Sequence, residues 1–114
     1  MQTQSLNTTD AAHEGQDSIE FGAMALRGVR MRFDRNEEIF GEGECAEYVY
    51  RVVTGAVRTI RFSSDGRRQI LGFYLPGDVF GLEAGETHSL SAEAVSDAEL
   101  ALVRRSLIDA AATQ

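Results

Sequence analysis

The side chains able to do chemistry in this sequence are few, and their spacing restricts what they can do. There are two imidazoles, His13 and His88, and one thiol, Cys45. A lone cysteine cannot close an intrachain disulfide. Metal-dependent jelly-roll enzymes hold their ion with a His-x-His pair, a carboxylate and a later histidine. Two histidines in total cannot supply that set. No Gly-x-Ser-x-Gly elbow, phosphate-cradling loop with its lysine, or paired-cysteine motif is present. With no nucleophile–base constellation to name, the sequence points away from an enzyme, and no catalytic residue, metal or cofactor is expected.

The remaining polar groups have plainer readings. Cys45 stands among Glu42, Glu44 and Glu47, whose charge disfavours a thiolate, so a poor nucleophile is expected. With Glu37 and Glu38 these carboxylates form an acidic run, which reads as a solvated loop face and matches no EF-hand spacing. His13 lies in a polar stretch and is expected to be solvated.

Positioning any of these groups requires a scaffold, and 114 residues fit one domain. The net charge of −7 and pI near 4.7 argue against the chain gripping nucleic acid by itself, because phosphate neutralisation needs a basic patch. No stretch approaches a membrane span, and the start has no secretory pattern, so a cytoplasmic protein without a membrane partner is expected. Residues 1–22 are rich in Gln, Thr, Ser, Asn and Asp, and are expected to form a weakly ordered tail.

From Val29 the pattern changes. Val29, Met31 and Phe33 alternate with Arg30, Arg32 and Asp34, which predicts a strand with one buried face. Ile39 and Phe40 precede the turn signal Gly41-Glu42-Gly43. Tyr48 to Val53 is aromatic and β-branched, as in a strand covered on both faces. Gly55 predicts a tight bend before Ala56–Phe62. Asp65-Gly66 marks a hairpin crest, with Arg67–Leu75 as the return strand. Pro76-Gly77-Asp78 breaks it, and Val79–Leu82 follows as a short strand. Glu83–Leu90 has no periodicity and reads as a loop. Ala92–Val95 and Leu100–Val103 form a final pair, the second covered on both faces. Ser106 with Asp109 predicts a helix N-cap box. Many short strands with Gly and Pro punctuation predict a mainly β fold closed as a jelly roll, with short flanking helices. The expected division is a tail over 1–22, a β-roll over 23–105 and the start of a helix over 106–114.

In this order the segments resemble a known family. Asn36 to Gly43 resembles the opening of a cyclic-nucleotide-binding-type β-roll, and Tyr48 to Val57 its first hairpin. Asp65 to Ile70 and Phe73 to Gly81, with its Pro-Gly-Asp turn, resemble Crp/Fnr transcription regulators. Gly81-Leu82-Glu83-Ala84, His88 and Ser91 to Ala94 are similar to the FixK branch, whose members lack the iron–sulfur cysteines of Fnr. One cysteine could not build that cluster in any case.

The resemblance implies a double-stranded β-helix jelly roll and a regulatory role. It also locates a nucleotide cassette, in which a Gly-Glu opens and an Arg-Ser closes the phosphate site. Here Leu82 follows Gly81 where the Glu would stand, and His88 precedes Ser89 where the Arg would stand. Glu83 is one place off, which on a strand would turn it to the other side. Since a guanidinium suits a cyclic phosphate, the expectation is a degenerate pocket lined by Gly81, Leu82, Glu83, His88 and Ser89, without cAMP or cGMP. His88 is expected either as a pH-sensitive pocket group or as a loop histidine bonded to backbone or water. By resemblance the parent protein is expected to bind DNA as a homodimer through a further helix and helix-turn-helix, in a low-oxygen or nitrogen-fixation circuit. This chain is expected to bind no DNA and to be a monomer or weak homodimer, with Leu107 and Ile108 left uncovered. A stand-alone β-roll that binds a small molecule or protein is the alternative. A reading frame continuing past Gln114 by about one domain would favour the regulator.

Overall fold

The computed structural model describes residues 17–21 and 24–112. Nine strands and one helix follow in chain order: β1 Asp17–Phe21, β2 Met24–Phe33, β3 Glu38–Phe40, β4 Tyr48–Thr54, β5 Val57–Phe62, β6 Arg68–Tyr74, β7 Val79–Phe80, β8 Ser91–Ala94, β9 Ala98–Arg104 and α1 Arg105–Ala112. They form two antiparallel sheets, ordered β1-β2-β9-β4-β7 and β3-β8-β5-β6. This is the expected mainly β architecture, a β-roll, although α1 is the single helix among the described residues.

Two junctions show how local chemistry sets the roll. Between β4 and β5, Gly55 has φ +84°, and a Cβ there would lie 2.4 Å from the Asp97 carbonyl oxygen. Only glycine allows both the left-handed backbone and that approach. Beyond β6, the Asp78 carboxylate accepts the Leu75 N–H at 2.8 Å, closing the Pro-Gly-Asp turn. The turn then docks on β4, where Gly77 N–H donates to Val52 O (2.8 Å) and Val52 N–H donates to Asp78 O (3.0 Å).

The core lies between the sheets. Tyr50, Val52, Val57, Leu100 and Leu102 are buried there with Phe33, Phe40 and Phe80, beside the short side chains of Ala92, Ala94 and Ala98. Alternation along β9 puts Ala101 and Val103 on the other face, where Leu26, Val53 and Ile108 cover them. Strands β4 and β9 are thus packed on both sides, as their composition implied.

Several expectations need correction. Asp17–Phe21 pairs antiparallel with the first half of β2, so strand structure reaches into the segment read as a tail. Composition averaged over 1–22 concealed the short alternation Ser18-Ile19-Glu20-Phe21. Residues 1–16, with His13, lie outside the described residues. Val29 and Met31 share the inward side with their partners Leu102 and Leu100, yet they are 54% and 45% exposed while Phe33 is buried. Alternation settles which way a side chain points; whether another layer covers it is a tertiary matter. At the other end, Arg105 begins the helix, so Ser106 is inside it and does not cap it. Asp109 instead faces the Arg105 Nε at 3.8 Å. Leu107 is exposed as expected, but Ile108 packs onto the Ala101–Val103 face.

Candidate functional site

Strand β7 stops at Phe80, two residues short of the expected end, because Gly81 takes φ +86°. A Cβ at Gly81 would sit 2.8 Å from Tyr50 Cδ1, so the tyrosine ring packs on bare backbone here. Burial, with smaller contributions from Tyr48, Glu44 and Glu47, pushes the Tyr50 phenol up to about 12. The left-handed turn releases the chain from the pleat into the loop that carries the candidate residues.

Leu82 goes to the surface, 59% exposed. Glu83 does the opposite of what strand alternation implied. In a loop no alternation operates, and its carboxylate turns inward. Oε2 lies 3.1 Å from His88 Nδ1 and accepts the Ser89 N–H at 3.3 Å, while Oε1 accepts the Ser89 hydroxyl at 3.2 Å. An ionised carboxylate only accepts, so Nδ1 carries the hydrogen in this contact. The His88 side chain is 1% exposed and that of Glu83 12%. The structure therefore brings Glu83, His88 and Ser89 together beside Gly81, and leaves Leu82 outside.

The imidazole has a floor as well as a partner. It stacks on Phe40 with ring centroids 3.5 Å apart and planes 9° from parallel. Phe40 in turn touches Tyr50 at 5.4 Å and Phe80 at 6.2 Å. Backbone bonds fasten this loop to the acidic loop after β3. His88 N–H donates to Glu44 O and Gly43 N–H to His88 O, each at 2.8 Å, and Ala46 N–H donates to Glu86 O at 2.8 Å. Both expectations for His88 missed its carboxylate partner. Sequence reasoning also missed the roles of Phe40 and Arg105. Phe40 read only as an apolar strand residue. The Arg105 guanidinium donates to the Gly85 carbonyl from α1, a contact with no local sequence signal.

The arrangement is suited to holding a loop. Three arginines of the roll are engaged elsewhere: Arg58 and Arg68 bond Glu93, and Arg104 lies over the Tyr48 ring at 5.6 Å. Two surface grooves, of about 600 Å³ at the Ser63–Gln69 hairpin and about 350 Å³ between Cys45 and α1, do not include Glu83, His88 or Ser89. Among the described residues no group of three or more His, Cys, Asp or Glu is placed to hold a metal ion. Among the described residues no helix is long and apolar enough to cross a membrane.

Comparison with known proteins matches the family model described as the cyclic nucleotide-binding domain to residues 30–114. The chain belongs to that family. Within the cyclic nucleotide-binding domains it is of the FixK-like, Crp/Fnr kind, in which this unit is the sensor-type domain of transcription regulators. The nitrogen fixation regulation protein FixK of Azorhizobium caulinodans is 52% identical over 89 residues, covering 78% of this chain and 36% of that protein. The structure of FixK2 from Bradyrhizobium japonicum superimposes with a TM-score of 0.75 at 56% identity, covering 77% of this chain and 44% of the other. The catabolite activator protein of Thermus thermophilus superimposes with a TM-score of 0.67 at 30% identity, covering 73% and 40%. This cyclic nucleotide-binding domain thus spans between about a third and a half of the relatives it matches.

Proposed function

We propose that this chain is the regulatory half of a FixK-like transcription regulator and works without cyclic nucleotide. One observation carries the reading. The Ser89 amide and hydroxyl and the His88 imidazole already hold the Glu83 carboxylate. A cyclic phosphate brought to these donors would meet a like charge beside a buried imidazole, at the position where the family's arginine is replaced by His88. The degenerate pocket of Gly81, Leu82, Glu83, His88 and Ser89 is then a closed structural joint, and the chain is not a catalyst.

By likeness to proteins named for nitrogen fixation regulation, the whole protein acts in the cytoplasm in a circuit of that kind. It contacts DNA as a homodimer through parts outside this domain. The alternative, a β-roll module that binds a protein partner, draws on Leu71 and Phe73 of β6, which are 45% and 60% exposed.

Calorimetric titration with cAMP and cGMP tests the main reading. The expected result is no saturable heat up to ~1 mM nucleotide, meaning binding weaker than about −4 kcal/mol. A low-micromolar dissociation constant for either nucleotide would overturn it.

A further inference from the structure

We propose that Glu83 occupies a small oxyanion site built into this fold, so that the domain carries its own anionic ligand. The proposal deepens the reading of a nucleotide-independent domain, and it can fail while that reading stands. Three donors converge on one carboxylate: a backbone N–H, a hydroxyl and an imidazole N–H, at 3.1–3.3 Å. This is a donor set that receives oxyanions, with charge-assisted bonds made in partial isolation from water.

The second observation is His88 itself. Its side chain is 1% exposed, and among the described residues its ring has no hydrogen-bond partner besides Glu83. Without that carboxylate, Nδ1 would be a buried donor left unmade, which is costly. The hole left by the Glu83 side chain would demand an acceptor of the same shape and charge.

The donor geometry selects the kind of anion. The two oxygens of one planar carboxylate take all three donors, Oε2 from His88 Nδ1 and the Ser89 N–H and Oε1 from the Ser89 hydroxyl. The site is shaped by a singly charged, planar group, so a monocarboxylate fits better than tetrahedral phosphate. In the native chain the internal carboxylate is tethered and always present. The loop from Leu82 to Ser89 is therefore held on Phe40 whatever small anions surround it.

The test is thermal melting of the wild-type chain, Glu83→Ala and Glu83→Gln in chloride, acetate and phosphate at matched ionic strength. Glu83→Ala is expected to melt roughly 5–15 °C lower in chloride. About 50 mM acetate should restore roughly 3–6 °C, as for a dissociation constant near ~10 mM, with phosphate restoring less. Wild type should not respond selectively to anions, nor should Glu83→Gln, whose amide fills the same space. If Glu83→Ala is unfolded in chloride, it must fold in acetate. A Glu83→Ala chain that treats the three anions alike, folded or unfolded, overturns the proposal, as does an equal acetate effect on wild type. Tight cAMP binding to wild type would instead strike the nucleotide-independent reading, so the two failures are distinguishable.

Discussion

Phe40 is the residue on which the site physically rests. Its ring supports the His88 imidazole on one side and meets Tyr50 and Phe80 on the other. It is 6% exposed, so truncation would open a cavity in the core and remove the stack. Phe40→Ala is expected to lower unfolding stability by about 3–5 kcal/mol in urea denaturation. A cost under ~1 kcal/mol would mean that the core closes over the gap and that the imidazole does not need its floor. Phe40→Leu keeps most of the volume and loses only the flat face. The loss from wild type to Phe40→Leu therefore reads the ring contact, worth ~0.5–1.5 kcal/mol for an aromatic pair.

At the level of elements, the second sheet is laced by one carboxylate. Glu93 on β8 accepts from Arg58 Nε of β5 at 2.6 Å and from Arg68 Nη2 of β6 at 2.6 Å, through the same oxygen. Arg58 Nη2 also reaches the Asn36 amide oxygen ahead of β3 at 3.2 Å. Burial alone would raise the Glu93 pKa, but the bonds and charges of Arg58 and Arg68 outweigh it and hold the carboxyl below its usual range. A carboxyl depressed in the folded state binds protons more weakly there than in the unfolded chain. Its stabilisation is therefore present above the ordinary value of 4.5 and is lost as the pH falls through the lower folded value. Glu93→Gln should cost ~1 kcal/mol at neutral pH. Its deficit should shrink as acid protonates the wild-type carboxyl, read from urea midpoints at stepped pH. A deficit that stays constant into acid would show that the side-chain contacts matter and the charge does not.

On the scale of the whole molecule, charge governs what the domain can do alone. A net charge of −7 sets a repulsive field around any polyanion. Its arginines are partly engaged within the fold, with Arg58 and Arg68 on Glu93, Arg32 facing Asp97 at 3.6 Å and Arg105 on the Gly85 carbonyl. In a gel-shift assay at physiological salt, this chain is expected not to retard duplex DNA of any sequence. Retardation that weakens steeply with added salt would reveal a basic face. The same experiment with a longer protein that includes the remainder of a FixK-like regulator should give a sequence-specific shift.

Much of this protein was legible before any tertiary structure. Strand positions followed from alternation and punctuation, because glycine and proline act through their own backbone restrictions wherever they stand. Gly55, Asp65-Gly66 and Pro76-Gly77-Asp78 fall at turns as expected, and β4 and β9 are covered on both faces. What could not be read locally were contacts between segments far apart in sequence, or outside regular structure. The exposure of Val29 and Met31 depends on what lies opposite their strand. The stack of His88 on Phe40 joins the end of β3 to a loop that follows four further strands. Glu83 turns inward because Gly81 has already taken the chain out of the pleat, and outside a strand no periodicity says where a side chain points.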